Sequence, residues 1–517
     1  MEFEPRHAGH HHKANVKYGY IIFGISLVSA LTLAVSNYAY LSKWLTRGAP
    51  NRRSIWARLG SPEPWWVQLI LWSLVVIVLS LFKIHDFKEQ YTTVIKRVGR
   101  LGFYLVPFDI LLAIRPSLLA TSYLEFIALH KWISRLILFM VSAHSIGYIG
   151  KWIAAGEAWK KSLKMLNFLG VVVFFLALVL VVISSKPIRR RVYGTFYLWH
   201  NLTVASFLVL IFWHARPGVT DAVILSVCMV AFQTFQRLRH SHWISGIVAI
   251  DEKSSHLRLL KLPVPENYPS QWYPGAHIRL TYPLTDARSW MFPSHPYTVF
   301  SLANDKSLEL VVKKSHKFQV DPACDYTVSS PYASLPPPFF QTAEKVVVFC
   351  GGSGISLGIP IFRFLKSNAS VHSELHWSVS NKSDSFVLSG IKSVHEVNVY
   401  VTKNRSTLIQ DSEEYEQNDA LLYDENEQYE LESLSGDTAQ SPETIVELGK
   451  QKSEEPIDRI KYHSGRPIYD SIFASLLDGE NRLNNWIVVC GPKSMISSAK
   501  NWAQDHEVQV FSEFYEF

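Results

Sequence analysis

Six apolar runs crowd the first 240 residues, near 18–41, 65–84, 125–149, 165–185, 193–215 and 219–236. Each matches a bilayer span, which takes roughly 17–25 predominantly apolar residues. Lipid satisfies no backbone N–H or C=O, so such runs can cross it only as helices that bond internally. A seventh run, "LGFYLVPFDILLAIRPSLLA" (101–120), is weaker because it carries Asp109 and Arg115. The first half of the chain is therefore expected to be an all-α transmembrane bundle of six or seven helices. Its first run follows a polar tail (1–17) and lacks a small-residue cleavage pattern, which predicts an anchor rather than a removable signal.

Two of these runs carry histidines. "ALHKWISRLILFMVSAHSIGY" (128–148) holds His130 and His144, and "YLWHNLTVASFLVLIFWHARPG" (197–218) holds His200 and His214. Both pairs are fourteen residues apart. At about 1.5 Å and 100° per residue, that spacing spans roughly 21 Å and returns to within about 40° of the starting face. Each helix thus presents two imidazoles on one stripe, one towards each leaflet. Ionisable side chains at membrane depth tend to be functional, and imidazole is a good ligand for iron. Cofactor sites in bundles are built from facing helices. The spacing therefore predicts two bis-histidine haems, one on His130 and His200, the other on His144 and His214. The remaining histidines carry less: "HAGHHHK" (7–13) reads as a solvated tail, and His85 and His240 as polar residues at helix ends.

Beyond "QRLRHSHW" (236–243) the hydropathy falls. Short alternating runs ("HLRLLKLP", "GAHIRLTYP", "YTVFSLA", "SLELVVKKS") lie between Pro, Gly and Asp turns, the pattern of a small antiparallel barrel or sandwich over 241–340. From about 342, "EKVVVFCGGSGISLGIPIFRFLKS" reads as a buried strand, a glycine turn and a helix, which opens an α/β nucleotide-binding domain (341–517). "ELHWSVS" and "EVNVYVT" continue it as strands, and "NNWIVVCGPKSMISSAKNWAQ" supplies a second strand–turn–helix. Within it, residues about 404–460 are acidic, Ser-rich and aperiodic. They cannot bury enough apolar surface to order themselves and are expected to be a disordered insertion.

Charge and cysteine usage narrow the partners. Of the net +7, the basic clusters flank the membrane runs while 411–455 is acidic, so the balance implies a membrane surface and no nucleic acid. Cys228, Cys324, Cys350 and Cys490 share no paired spacing, which excludes a disulfide framework and places the C-terminal half in a reducing compartment. "SSKPIRRR" (184–191) fits the cytosolic side. The basic stretch "KIHDFKEQYTTVIKRVGR" (83–100) falls outside by helix parity if 101–120 spans, which leaves the topology before residue 120 open.

Four motifs punctuate the soluble half: "HPYTVFS" (295–301), "GGSGIS" (351–356), "GRP" (465–467) and "VVCGPKSM" (488–495). The glycines of the second let backbone N–H groups approach a pyrophosphate where a helix N-terminus favours negative charge. With the histidine pairs, these residues make the chain resemble the ferric reductase and NADPH oxidase family, most closely its fungal branch of probable metalloreductases. The resemblance covers about residues 100–517 outside the acidic insertion.

The resemblance implies a membrane flavocytochrome: a haem-binding bundle (18–240) with two b-type haems, an antiparallel β-barrel FAD domain (241–340) and an NADP-binding α/β domain. In the flavin pocket it implies that Tyr297 packs against the isoalloxazine and that Thr298 hydrogen-bonds near its reactive edge. His295, Pro296 and Ser301 would shape the pocket, Lys313 beside Lys314 would meet the flavin phosphates, and the terminal Phe517 would cover the flavin until nicotinamide displaces it. In the nucleotide domain Gly351, Gly352, Gly354 and Ser356 would cradle NADPH, and Arg466 would contact its phosphate. Cys490, the expected catalytic residue, would border the nicotinamide with Gly491 and Pro492. "SVSNKSDS" (378–385) offers Lys382 where an NAD-selective site often places a carboxylate, which predicts NADPH preference although Asp384 sits in the same segment. One departure stands out: the family's Gly-Pro-aromatic-Gly is here "SSPYAS" (329–334).

The expected path runs from NADPH through FAD on the cytosolic side to the inner haem (His130, His200). It continues through the outer haem (His144, His214) to an acceptor across the plasma or endoplasmic reticulum membrane. Ferric or cupric complexes are the first expected acceptors, with dioxygen, giving superoxide, as the alternative. The short outer segments carry Lys161 and Arg216 and few carboxylates, which suits anionic chelates. A non-enzymatic haem carrier with a degenerate reductase tail is the rival from another class; "SSPYAS" supports it and the intact nucleotide motifs oppose it. No partner subunit is identified. Loop-closure entropy changes by only about 0.6 kcal/mol per doubling of length. Deleting 411–455 is therefore expected to leave haem content and NADPH-driven reduction essentially unchanged. A deletion variant that binds flavin but accepts no hydride would show instead that the segment shapes the nucleotide site.

Overall fold

A computed structural model describes residues 8–47, 65–115, 126–215, 218–305 apart from 254, 307–314, 318–391, 396–402, 460–478 and 482–514 apart from 483. The expected insertion lies outside these residues, except for its last position, Ile460. The chain divides into two compact units at His240 and Ser241, apart from two short segments.

The first unit is helical. Its principal helices are α1 (Ala8–Arg47), α2 (Trp65–Leu81), α3 (Tyr91–Tyr104), α4 (Val106–Ala113), α5 (Ile127–Ala154), α6 (Met165–Ile183), α7 (Tyr193–His214) and α8 (Thr220–Arg239). Helix α1 begins inside the stretch expected to be a polar tail. Among the described residues, five helices contain segments long and apolar enough to cross a membrane: Asn15–Ser36, Ile127–Ala154, Met165–Ile183, Tyr193–His214 and Thr220–Arg239. Trp66–Leu81 is a shorter apolar helix. The seventh run, 101–120, does not continue as one helix. It divides between α3 and α4 at Leu105, where Pro107 enters the first turn of the next helix.

Small residues bring α3 against α5. A Cβ on Gly102 would lie 3.1 Å from Met140 Cβ, and one on Gly147 would lie 2.8 Å from Ile95 Cγ2. Lipid gives no hydrophobic drive between helices, so close backbone approach through small residues is what such an interface depends on. The core around this seam includes Ile22, Leu101, Phe103, Tyr104, Leu105, Phe126, Leu129 and Ile133.

The basic residues of 83–100 find a structural use. Arg97 donates through Nη1 to the carbonyls of Leu79 (3.2 Å), Ser80 (3.0 Å) and Phe82 (2.8 Å), capping the C-terminal end of α2. Its guanidinium carbon lies 4.0 Å from the Tyr18 ring centroid. Arg100 donates to Gly218 O at 2.9 Å, just beyond α7. A cation at the orphan carbonyls of a helix end satisfies them and opposes the helix dipole. Charges held inward in this way do not report topology.

The second unit begins with seven strands: β1 (Ser241–Ile244), β2 (Val248–Asp251), β3 (Leu257–Leu262), β4 (His277–Thr281), β5 (His295–Thr298), β6 (Leu308–Lys313) and β7 (Tyr326–Ser329). They divide between two antiparallel sheets, β1-β7-β4-β5 and β2-β3-β6, bridged at Val299 and Leu310. Alternating inward residues such as Ile278, Leu280, Leu308, Leu310 and Val328 share one core.

Next comes a parallel sheet of β8 (Lys345–Gly351), β9 (His372–Val379), β10 (Val397–Val401), β11 (Ile460–Ser464), β12 (Asn485–Gly491) and β13 (Gln509–Phe514), in the order β11-β10-β9-β8-β12-β13. Helix α9 (Ile355–Lys366) follows β8, and α10 (Lys493–Asp505) follows β12. The central β12 is buried along its whole length, as expected of a parallel strand covered on both faces. Strand order reverses at β8, so the C-terminal ends of β8 and β12 form the topological switch point where open α/β sheets bind ligands.

Arg363 on α9 makes a two-point ion pair with Asp305, 2.7 and 2.8 Å, and thereby ties the two sheet systems together. Replacing Arg97 by Leu leaves three carbonyls without their donor, at about 1–3 kcal/mol for each one left buried. The expected result is a melting temperature several degrees lower for the detergent-solubilised protein, with flavin content unchanged. An unaltered melting temperature would remove the capping role.

Candidate functional site

The four membrane histidines lie on two helices, His130 and His144 on α5, His200 and His214 on α7. The His144 and His214 ring centroids lie 6.4 Å apart, with the ring planes at 79°. Two imidazole nitrogens each about 2 Å from a shared metal put their ring centroids roughly 6 Å apart. The observed separation therefore leaves room for one iron and for nothing larger along that line.

Tautomers agree with this use. His144 Nδ1 lies 2.7 Å from Ile95 O, His214 Nδ1 2.6 Å from Leu166 O, and His130 Nδ1 3.0 Å from Asp109 O. A carbonyl only accepts, so each Nδ1 carries the proton and each Nε2 keeps its lone pair for a metal. His200 Nδ1 is buried and has no hydrogen-bond partner among the described residues. Its electrostatic neighbours are His130, Asp109 and Arg189, which puts it beside the other expected ligand of its pair.

Two glycines make the first two contacts possible. Gly99 follows Ile95 by four residues, and a Cβ there would lie 2.5 Å from His144 Nδ1. Gly170 follows Leu166 by four, and a Cβ there would press still closer on the His214 ring. In a helix the carbonyl of residue i already accepts from the N–H of i+4. A glycine at i+4 leaves that oxygen open from the side, so an imidazole can reach its second lone pair. The same device serves both histidines. Sequence reasoning passed over it, although a glycine in the apolar run of α6, four residues after Leu166, was a readable signal.

In the flavin region, Tyr297 is buried in a cleft with Arg258, Lys313, Lys314 and Phe318. Arg258 and Lys314 each pair with Asp251, at 2.9 and 3.6 Å, so the cleft combines an aromatic wall with cations already partly balanced by a carboxylate. Arg258 and Phe318 had escaped the sequence reading. Phe318 stacks on His295, with centroids 3.6 Å apart and planes at 13°. Thr298 is buried and Pro296 exposed. The Ser301 hydroxyl is engaged in a turn, donating to Ser307 O at 2.7 Å and accepting from Glu309 N at 3.1 Å. Phe517 lies outside the described residues.

The "SSPYAS" segment needs no glycine. Tyr332 exchanges two backbone hydrogen bonds with His277, 2.8 and 2.9 Å, and none of its residues has positive φ. Arg279 N donates to Ser329 Oγ at 2.8 Å, so a serine fastens this turn to β4.

At the switch point the two strand-end motifs meet. Cys350 and Cys490 are register partners on β8 and β12. A Cβ on Gly351 would lie 3.1 Å from both Met495 Sδ and Pro492 Cδ, and one on Gly491 would lie 2.6 Å from Met495 Sδ. A Cβ on Gly354 would run into the Cys490 carbonyl. The turn at Gly352 uses φ +52°, and Ser356 Oγ donates to Ser353 O at 2.9 Å. Burial, with Cys350 and Glu513 nearby, pushes the Cys490 thiol well above its ordinary range. Cys490 is thus a neutral, shape-giving wall and not a thiolate.

Lys382 Nζ lies 4.4 Å from the Tyr462 ring, and Tyr462 O–H donates to Ser385 at 2.8 Å. Arg466 is exposed and follows Gly465, whose φ is +88°. Asp384 is engaged across the second unit: its carboxylate accepts from Ser255 Oγ at 2.8 Å and from His256 N at 2.9 Å. Of the expected outer cations, Lys161 pairs with Glu157 at 3.3 Å and Arg216 lies outside the described residues.

This arrangement of a helical membrane unit, two antiparallel sheets and a parallel nucleotide-binding sheet defines a membrane-bound flavin- and nicotinamide-dependent oxidoreductase. Residues 98–211 match the ferric reductase like transmembrane component, 249–332 an FAD-binding domain and 343–504 the ferric reductase NAD binding domain. "Probable metalloreductase AIM14" of Clavispora lusitaniae is 42% identical over 99% of this chain and 98% of its own length. The protein of that name from Debaryomyces hansenii is 40% identical over 99% of each. The chain belongs to this probable metalloreductase family.

The glycine device makes a direct test. Gly99→Ala or Gly170→Ala should displace His144 or His214 and remove one of two low-spin haem signals while sparing the other. Full retention of both signals in both variants would contradict the fit.

Proposed function

We propose that the chain moves electrons from NADPH, through FAD and two b-type haems, to a ferric or cupric complex on the far side of the membrane. The observation that carries this reading is the His144–His214 pair, spaced for one metal and with both Nδ1 protons fixed on carbonyls. Bound in these sites, flavin and haem iron supply hydride acceptance and one-electron transfer. The chain's own residues hold and orient. His130 with His200, and His144 with His214, would hold haem iron at two depths, where the apolar core around them would keep water away.

On the soluble side, Tyr297 and Phe318 wall the flavin ring, and Arg258, Lys313 and Lys314 meet its phosphates. Gly351, Gly352 and Gly354 admit the nucleotide pyrophosphate, while Lys382 and Arg466 take its ribose phosphate. Cys490, Gly491 and Pro492 border the nicotinamide. The soluble domains lie in the cytosol, and the chain sits in the plasma membrane or the endoplasmic reticulum.

An anionic chelate is the acceptor that the charge favours. Lys96 is exposed and an electrostatic neighbour of His144, and the exposed Lys151 next to it donates to Thr92 Oγ1 at 2.9 Å. Positive charge at that end attracts anionic iron complexes.

Purified, flavin-loaded protein given NADPH should reduce ferric chelate at a rate that superoxide dismutase does not suppress. Loss of that reduction with dismutase, while oxygen consumption continues, would make dioxygen the acceptor. Lys382→Ala should lower the preference for NADPH over NADH several-fold; an unchanged ratio would detach Lys382 from the ribose phosphate.

A further inference from the structure

The two histidine pairs differ in one respect that the fourteen-residue symmetry conceals. His144 and His214 give their Nδ1 protons to neutral backbone carbonyls. His130 meets a carbonyl too, but Asp109 Oδ1 also lies 3.0 Å from the same Nδ1. That oxygen is buried and accepts no hydrogen bond among the described residues. The other oxygen of Asp109 accepts from Ser134 Oγ at 2.6 Å. Ser134 is one turn beyond His130 on α5, so a single helix face carries both the expected ligand and the residue that aims the carboxylate at it.

A carboxylate oxygen closed off from solvent needs a reason, since removing it from water is costly unless charge or hydrogen bonds compensate. Part of the compensation is local: Asp109 sits in the first turn of α4, where the helix dipole favours an anion. The rest is directed at His130. A carboxylate beside the distal nitrogen of an imidazole ligand raises the ligand's basicity, and a negative charge in a dry interior favours the ferric over the ferrous state. No described carboxylate occupies the corresponding place beside His144 or His214.

We infer that Asp109 is a positioning residue that makes the haem on His130 and His200 the lower-potential member of the pair. This rests on the reading of the four histidines as haem ligands. Electrons entering from the flavin then meet a lower-potential centre first and a higher-potential one second. Transfer across the membrane becomes downhill by construction of the first ligand's surroundings.

The test is potentiometric, on full-length protein in lipid nanodiscs. Wild type should contain two haems with distinct midpoints, and Asp109→Asn should raise the lower one while leaving the upper one in place. Assignment comes from repeating Asp109→Asn in a His214→Leu background, which keeps only the haem on His130 and His200. If Asp109→Asn fails to retain that haem, Ser134→Ala should show the same upward movement to a smaller extent, and Asp109→Glu should restore the haem with a low midpoint. An unmoved lower midpoint in the variants that keep both haems would overturn the inference while leaving the haem reading intact. Wild-type protein without two haems would overturn both.

Discussion

Lipid offers an imidazole no acceptor for its N–H, and three of the four membrane histidines here place it on a backbone carbonyl. That constraint organises the membrane half of this molecule. Helix carbonyls are the only plentiful acceptors there, yet each already serves its own helix. The chain answers with a carbonyl whose partner four residues later is glycine: Ile95 with Gly99 for His144, and Leu166 with Gly170 for His214. Asp109 with Ala113 repeats the spacing beside His130, using the next smallest side chain. Once Nδ1 is spoken for, the tautomer is set and Nε2 keeps its lone pair. The glycine-lined seam between α3 and α5 that brings Ile95 close enough is thus part of the ligand geometry, and so are the arginine caps that let α3 lie inside the bundle.

The soluble half solves a different problem, the approach of two flat, charged cofactors to one another. Its nucleotide motifs sit where strand order reverses, because only there do two adjacent loops diverge and leave a crevice. Three glycines around Cys490 let β8 and β12 end in close contact, and a neutral thiol serves that packing better than a charged one. Asp305 with Arg363, and Asp384 with Ser255, use carboxylates to fasten the nucleotide sheet to the flavin-binding sheets. The carboxylate that looked in sequence like a competitor for the ribose is a joint between domains.

Much of the fold was legible in the sequence. The apolar runs around His130 and His144, and around His200 and His214, were readable as two helices, because helical periodicity converts residue number directly into depth and face. The strand–glycine–helix of "VVVFCGGSGIS" was legible for the same reason: a buried run, a turn residue and an amphipathic segment each leave local marks. What stayed hidden depended on partners distant in sequence. Nothing local shows that Arg97 caps α2, that Asp384 reaches Ser255, or that Phe318 lies on His295. The break at Leu105 was missed because hydropathy averages over a window, while one Pro107 placed early in a helix restarts it. "SSPYAS" looked like a damaged motif since the glycine rule concerns positive φ, and whether a turn needs positive φ is decided by its neighbours.

The central claim is that four histidines on two helices hold two haems which NADPH can reduce. An anaerobic reduced-minus-oxidised spectrum of the purified, flavin-loaded protein tests it most directly, with haem counted per chain by the pyridine haemochromogen. The account predicts two haems, both low-spin with bis-imidazole signatures in the oxidised state, and both reduced on adding NADPH. One haem per fully flavinated chain, a high-spin ferric signal, or haems that dithionite reduces and NADPH does not would contradict it.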